Sequence, residues 1–173
     1  MTAIVDGSLG FTAPIGAIYN GLQQATVQNS TSGTSITFTN IPSWVKRVTV
    51  MLSAVQTSGT SQQQIRLGTS GGIVSSGYAS AVSQIPGNTA SAVTTGFPLS
   101  ITTGSSDSKS GLYIISNLSG NVWSLAGGNS ITSGYTFQTF GTVNLGALLT
   151  QVQITTANGT DTFTAGSINI LYE

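Results

Sequence analysis

The sequence predicts an all-β fold, an antiparallel β-sandwich of jelly-roll-like type. Short segments rich in β-branched and aromatic residues alternate with Gly, Ser, Thr, Asn and Pro along most of the 173 residues, as in sandwiches and barrels. Helical periodicity is almost absent, because glycine or proline interrupts nearly every window long enough to show it. The length suits one domain with a core rather than two domains.

Eleven segments have the length and composition of strands. They are residues 25–28, 35–40, 45–55, 63–67, 77–81, 97–101, 111–116, 122–125, 135–140, 148–156 and 167–172. In the third segment Val48, Val50 and Leu52 alternate with Thr, Met and Ser, which predicts one apolar face. Residues 15–24 carry a weak helical pattern that two glycines interrupt.

The end of the chain predicts a tight turn and a final inward-facing strand. Asn158 and Gly159 are typical of a hairpin turn, so we expect a return strand at residues 160–164. After a kink at an Ala-Gly pair, Ile168 and Ile170 point inward together with the last tyrosine. We therefore expect the end of the chain to be ordered.

Three stretches rich in Ser, Thr, Gly and Asn predict long loops at residues 56–62, 84–96 and 102–110. We divide the chain into an N-terminal arm or attachment segment, residues 1–34, and a single sandwich domain, residues 35–173. The apolar residues expected to anchor the arm are Phe11, Ile15, Ile18 and Tyr19.

Charge is scarce: four basic residues balance four acidic ones, and the chain has neither histidine nor cysteine. Such a chain has no electrostatic footprint for nucleic acid or for an anionic membrane. A net charge near zero favours association between copies, because little self-repulsion keeps them apart. We expect a homo-oligomer.

Catalytic chemistry has few candidate residues. Without histidine, no serine can belong to a Ser-His-Asp triad, and zinc lacks its usual ligands. Glycoside hydrolysis needs a pair of carboxyl groups, which only distant segments could bring together. A calcium site around Asn158 and Asp161 stays open, although turn chemistry explains these residues more simply. We predict no enzyme, no metal and no cofactor.

Aromatic residues can pack in a core or stack on sugar rings. Trp44 and Trp123 lie in strand-like contexts, so we expect both to pack in the core. Tyr78 and Tyr135 each follow a Ser-Gly pair at a loop edge, where exposure is expected. These two tyrosines are the candidate ligand contacts.

The N-terminus has no basic and apolar regions of a secretory signal, and no apolar run is long enough to cross a bilayer as a helix. The composition, with 25 Ser and 26 Thr, nevertheless resembles that of extracellular proteins. A chain made in the host cytoplasm but built for life outside a cell is typical of a virus particle, so we expect virion localisation. An exported protein would satisfy the same composition.

Two motifs carry a resemblance to a family. The segments are IPSWVKRVTVML at residues 41–52 and VQITTANGTDTFTAGSINILYE at residues 152–173. Shorter pieces, IRLG at 65–68, GGI at 71–73 and SGY at 76–78, extend the similarity over residues 36–173. Together they resemble a module of tailed-bacteriophage structural proteins.

This resemblance implies a virion protein of tail-fibre or tail type, with an antiparallel sandwich that assembles as a trimer. It offers no catalytic residues to carry over. The chain departs from the usual pattern at Gln151, Gln153 and Thr164, where charged residues are common. These changes lower the charge of the surface further.

Three functions follow as alternatives. The first is a tail-fibre or receptor-binding module that contacts host-surface glycans through loops at one end. The second is a capsid decoration protein or head fibre, bound to other virion proteins through its N-terminal arm and motivated by a chain of this length that starts with methionine. The third, a glycan depolymerase, is the least expected, because it would need two carboxyl groups in one site.

Overall fold

The computed structural model describes residues 4–6, 10–12, 21–87, 89–101 and 104–173, with the backbone alone at 4–6 and 10–12. The described residues form sixteen strands and no helix, which confirms the all-β prediction. The strands are β1 (Ile4–Asp6), β2 (Gly10–Thr12), β3 (Gln23–Gln24), β4 (Gln28–Asn29), β5 (Ser35–Phe38), β6 (Arg47–Thr57), β7 (Gln63–Thr69), β8 (Gly72–Ile73), β9 (Tyr78–Ile85), β10 (Thr89–Val93), β11 (Phe97–Pro98), β12 (Lys109–Ser119), β13 (Val122–Ile131), β14 (Thr136–Asn144), β15 (Gln151–Thr156) and β16 (Phe163–Tyr172).

Two antiparallel sheets account for all strands except the β1–β2 pair. The larger, nine-stranded sheet has the order β10-β9-β14-β13-β12-β6-β16-β3, with β4 also paired to β16. The smaller, five-stranded sheet has the order β11-β7-β15-β5, with β8 paired to β7. The sheets face each other across one core, so the arrangement is sandwich-like.

The core forms where the inward faces of the two sheets meet. The predicted alternation in β6 is confirmed, because Val48, Val50 and Leu52 are all buried. They belong to one cluster with residues of the smaller sheet, among them Ile65 and Ile154. Burying apolar area of this kind contributes about 25 cal/mol per Å², and it is what holds the sheets together.

The turn at Asn158 and Gly159 corrects a prediction. It does not close a hairpin, because β15 pairs with β5 and β7 in the smaller sheet while β16 pairs with β6 in the larger one. Only Gly159 has a positive φ, 69°, so the two-residue hairpin geometry is not used. The segment instead carries the chain from one sheet to the other.

The predicted kink before the last strand is an irregularity in the pairing of β16 with β6. Gly166 has a φ of 95° and lies against Ala54, which itself has a φ of 52°. Beyond the kink Ile168 and Ile170 are fully buried, and the backbone N–H of Glu173 donates to the carbonyl of Arg47 at 3.0 Å. The end of the chain is therefore held in the sheet, as predicted.

The described residues before position 35 also join the sandwich. Strands β3 and β4 pair with β16, and the buried Ser30 hydroxyl donates to the carbonyl of Ala165 at 2.8 Å. The packed part of the chain thus begins earlier than the expected boundary at residue 35. The weak helical pattern at 15–24 lies mainly outside the described residues, and its last two residues form β3.

One predicted loop contains a strand. Residues 84–96 include β10, which pairs with β9 along five residues. Its sequence, TASAV, has small residues where a strand signal needs bulky branched ones. The pattern therefore hid an edge strand inside a Ser- and Thr-rich stretch.

The registers place several connections at the same end of the sheets. Val55 and Ile131 both lie opposite Lys109, Ile85 lies opposite Thr136, and Thr57 lies opposite Phe163. The connections β6–β7, β9–β10, β13–β14 and β15–β16, together with the segment before β12, therefore meet at one end. We call it the loop end.

Candidate functional site: a groove at the loop end

A groove of about 590 Å³ opens at the loop end. Its lining comes from four separate parts of the chain: the β6–β7 connection, β9, the segment before β12, and the β13–β14 region. The lining residues are Thr60, Gln84, Gly104, Asp107, Ile131, Ser133, Tyr135 and Phe137. Only the folded sheets bring these residues together.

The floor of the groove is apolar. Ile131 and Phe137 are 7% and 1% exposed and form a small second core with Val82. Ile101 packs against this cluster. Because the floor is part of the folded core, its shape is fixed before any ligand binds.

Tyr135 is the exposed ring of the groove. It precedes β14, and 38% of its surface is exposed, which confirms the predicted exposure. The backbone N–H of Ile131 donates to the Tyr135 carbonyl at 2.9 Å, and Gly134 donates to the Ile131 carbonyl at 3.0 Å. The turn therefore holds the backbone of Tyr135 rigidly at the rim.

Asp107 supplies the one acidic group among the described lining residues. Its Oδ2 accepts from the backbone N–H of Gly104 at 2.8 Å, and its own N–H donates to the Gly104 carbonyl at 3.1 Å. Gln56 Nε2 donates to the neighbouring Ser106 carbonyl at 3.1 Å. These bonds close the segment into a turn and point the carboxylate at the groove.

Amide and hydroxyl groups complete the wall. Gln84 lies at the end of β9, and within the described part of the chain its side-chain amide makes no hydrogen bond to another residue. Thr60 and Ser133 are exposed hydroxyls on either side. An apolar floor, one exposed ring and several groups that donate or accept hydrogen bonds are what a sugar ring requires.

Tyr78 is not at the surface, so its predicted exposure is wrong. The side chain is 2% exposed, and its ring meets Phe97 edge to face at a centroid distance of 4.9 Å. The hydroxyl accepts from the backbone N–H of Leu67 at 2.8 Å and donates to the Val74 carbonyl at 3.1 Å. Burial raises the pKa of Tyr78 to about 12. Tyr78 therefore serves the fold and cannot contact a ligand at the surface.

A buried polar cluster lies near the groove that sequence reasoning missed. Tyr113 is fully buried, and its hydroxyl accepts from Asn129 Nδ2 at 2.5 Å. The same amide donates to the Leu99 carbonyl at 2.6 Å, and Thr139 Oγ1 donates to the Pro98 carbonyl at 2.5 Å. Burial raises the pKa of the Tyr113 phenol well above its usual range. The cluster ties β12, β13 and β14 to β11 of the opposite sheet.

Lys109 was predicted to lie in a loop, but it is the first residue of β12 and is 1% exposed. Burial lowers its pKa to about 8, and the nearby charge of Asp107 opposes part of that change. A serine- and glycine-rich stretch gives no signal for a buried lysine, because the inward direction comes from the register of β12 with β6 and β13.

None of the other acidic side chains that the structure describes lines the groove. Asp161 Oδ2 accepts from the Ser61 N–H at 3.0 Å, and Oδ1 accepts from Asn158 Nδ2 at 2.8 Å. Glu173 forms an ion pair with Arg47, and Asp6 lies in β1. Among the described residues, no group of three or more acidic side chains that could hold a metal ion is found.

The predicted core packing is confirmed for Trp123 and only in part for Trp44. Trp123 is 4% exposed and lies in the main core cluster, while Trp44 is half-buried and packs against it. Of the four arm candidates, Phe11 lies in β2, where the backbone alone is described, and the rest lie outside the described residues. Those remaining candidates are Ile15, Ile18 and Tyr19.

In the part of the chain that the structure describes, no helix is long and apolar enough to cross a membrane. Comparisons with protein-family models, with curated proteins and with solved structures gave no match.

Proposed function

We propose that this chain is a non-catalytic virion structural protein of tail-fibre type, which contacts neutral glycans of the host surface through the groove at the loop end. The observation that carries the proposal is the groove itself. It joins the exposed ring of Tyr135 and an apolar floor to the hydrogen-bonding groups of Asp107 and Gln84. The virion assignment rests on the motifs at residues 41–52 and 152–173.

The position of the groove supports a role at a tip. Strand β3 pairs with Leu171 and Tyr172 at the end of the sheets opposite the groove. The chain therefore enters the sandwich at one end and presents its loops at the other. A module with this geometry can be attached through its N-terminal side while the groove faces outward.

The charge of the groove favours neutral sugars. Asp107 is the one acidic lining residue among those described, and no basic residue lines the groove with it. Acidic sugars would meet a like charge in a partly buried site, which costs binding free energy. Hydrolysis of a glycosidic bond needs a second carboxyl group, so binding without turnover is the proposed activity.

The assembly is proposed as a trimer of jelly-roll-like sandwiches. Strands β5, β7, β8, β11 and β15 form the smaller sheet, and the chain passes to the larger sheet after β5, β8, β11 and β15. The chain thus crosses between the sheets repeatedly, as in a jelly roll. Self-association is supported by the zero net charge.

Glycan binding is tested with the purified full chain on an array of neutral and acidic bacterial oligosaccharides. We expect binding to neutral members, loss of binding in Tyr135→Ala and Gln84→Ala, and no change in Leu118→Ala. Leu118 is 71% exposed in the β12–β13 region at the opposite end, so it is a matched surface control. Sugar release during the incubation, or equal binding by all variants, would contradict the proposal.

The second candidate is a capsid decoration protein or head fibre. Entry of β3 at the end away from the loops also suits an N-terminal anchoring arm, whose proposed contacts are Phe11, Ile15, Ile18 and Tyr19. Gold labelling of the N-terminus on intact particles separates the two candidates. Label on the head supports the second, and label confined to the tail rules it out.

A further inference from the structure

The larger sheet has an outer face, which points away from the smaller sheet and carries an unusual share of exposed apolar side chains. Phe140 is 59% exposed, Leu112 45% and Ile114 39%. Soluble proteins rarely expose contiguous apolar patches beyond a few hundred Å², and larger ones mark interaction sites. Leu112 and Ile114 lie on β12 and Phe140 on β14, with only β13 between the two strands.

The strand registers show that the patch is continuous. One row of directly opposed residues crosses seven strands from β16 to β10. It consists of Leu171, Thr49, Ile114, Ala126, Phe140, Ala81 and Ala92. Its neighbouring row, two residues closer to the loop end, adds Met51 and Leu112 opposite each other. The other members of that row are polar or small: Asn169, Gly128, Gln138, Ser83 and Ala90. Because side chains of opposed residues touch, the first row together with Met51 and Leu112 makes one largely apolar band.

Phe140 lies on the fifth of the seven strands, inside the band rather than at its edge, and is its most exposed large apolar side chain. Its opposed neighbours are Ala126 on one side and Ala81 on the other. Two methyl groups cannot cover an aromatic ring, so the ring protrudes from the face. Protruding aromatic residues at the centre of a patch are the typical anchors of protein interfaces.

Charge decides what can cover the band. The rows on either side of it carry hydroxyl groups, such as Ser116 and Ser124 on one side and Ser130 on the other. The only charged side chain in these four rows is Arg47, which lies at a corner and pairs with Glu173. Two copies of the face would therefore meet without opposing charges of the same sign.

The area of the outer face is also consistent with association between two copies. At about 4.8 Å between strands and about 7 Å between alternate residues, seven strands and four rows cover roughly 30 Å by 20 Å. This area is of the order of the ~800 Å² that each partner contributes to a stable interface, since protruding side chains add to the flat estimate.

The outer face of the smaller sheet is different. There Arg66 Nη2 donates to Gln64 Oε1 at 3.1 Å, and Gln153 Nε2 donates to Thr37 Oγ1 at 3.2 Å. These polar groups satisfy one another through hydrogen bonds. The apolar band is therefore a property of one sheet and not of the surface in general.

We propose that copies of this chain associate through the outer face of the larger sheet, with Phe140 as the main anchor. The inference rests on the self-association proposed above and assigns it to a surface. It is independent of the groove, because no residue of the band lines it.

The test is the mass of the full chain by sedimentation velocity across a concentration series. We expect an oligomer for the wild type and for Leu118→Asp, whose leucine is at least as exposed as Phe140. For Phe140→Asp we expect association weakened by roughly 30-fold or more. Phe140→Ser serves as a second variant, and far-UV circular dichroism checks that both remain folded.

The outcomes separate the two claims. An oligomer that persists unchanged in both Phe140 variants overturns the assigned surface but leaves self-association standing. A wild type that is monomeric at all concentrations overturns both. Dissociation of Leu118→Asp to the same extent as Phe140→Asp also overturns the assignment, because the effect would then follow from added charge alone. Glycan binding by the monomeric variant would show that the groove functions separately.

Discussion

The hydroxyl of Tyr78 accepts a hydrogen bond from the backbone N–H of Leu67 at 2.8 Å and so joins the two sheets. Tyr78 belongs to β9 of the larger sheet and Leu67 to β7 of the smaller one. Both residues are buried, at 2% and 0% exposed. This bond, together with the bond from Thr139 to the Pro98 carbonyl, helps fix how the sheets sit on each other, in addition to the packing that holds them.

Tyr78→Phe tests this bond. The substitution keeps the ring but leaves the buried N–H of Leu67 without its partner, which costs roughly 1–3 kcal/mol of unfolding free energy. The measurement is urea unfolding followed by circular dichroism. Tyr135→Phe is the control, because Tyr135 is exposed and its change should stay within about 0.5 kcal/mol. Equal stability of the two variants would contradict the role of the Tyr78–Leu67 hydrogen bond in joining the sheets.

Gly166→Ala tests the kink in β16. A Cβ at this position would lie 2.5 Å from the carbonyl oxygen of Ala54, and the φ of 95° is itself unfavourable for other residues. We expect a loss of roughly 3 kcal/mol, measured as a lower midpoint of thermal or urea unfolding. Gly159→Ala is the matched control, since φ is 69° there but a Cβ would meet nothing within 4 Å. Gly159→Ala should lose only about 1 kcal/mol of unfolding free energy.

Lys109 predicts a pH dependence of stability. Its pKa is about 8 in the folded chain and 10.5 in an ordinary environment, so between these values the unfolded chain binds more protons. The free energy of unfolding therefore rises with pH from about 8 to about 10.5, by up to about 3 kcal/mol. Above pH 10 the raised pKa of Tyr78, about 12, acts in the opposite sense, because the unfolded phenol ionises first.

Urea unfolding at pH 7, 8, 9 and 10 measures this dependence. The wild type should gain stability over the last three points, and Lys109→Met should show a flat curve there. The slope of the unfolding free energy against pH is compared rather than its absolute value, because the substitution also changes packing. A flat wild-type curve would show that Lys109 titrates normally.

The two tyrosines and Asp107 also give a prediction for binding. Tyr135→Phe keeps the stacking face and should retain most affinity for a neutral oligosaccharide, while Tyr135→Ala should lose roughly tenfold. Asp107→Asn should lower the affinity for neutral sugars only a few-fold and should raise the affinity for acidic ones, because the like charge is removed. Titration calorimetry measures both, and Tyr78→Phe serves as the variant that changes stability without changing affinity.

Strands could be predicted from the sequence where bulky apolar residues alternate with other residues. The face of Val48, Val50 and Leu52 and the buried pair Ile168 and Ile170 were predicted because a period of two with bulky side chains is a strong signal. Strand β10 was missed because Ala and Ser carry almost none of that signal.

Only part of the site could be predicted from the sequence. Tyr78 and Tyr135 both follow a Ser-Gly pair, so local sequence cannot separate the buried ring from the exposed one. Tyr78 begins β9 and is buried where this strand pairs with Val143 of β14, whereas Tyr135 precedes β14 and lies outside the paired residues. For the same reason no local pattern could bring Asp107, Gln84 and Tyr135 to one groove, since the topology alone makes them neighbours.

The crossing of the chain from β15 to β16 has a kinetic consequence. Thr155 bonds to the carbonyl of Thr34 across 121 residues of sequence, and β16 must then close onto β6 from a similar distance. Contacts this remote form only after long loops have been organised, which places such proteins among the slower folders, on the order of milliseconds to seconds. Until β16 pairs with β6, that edge of β6 is free to pair with a strand of another copy. Copies should therefore associate correctly only after each chain has finished folding.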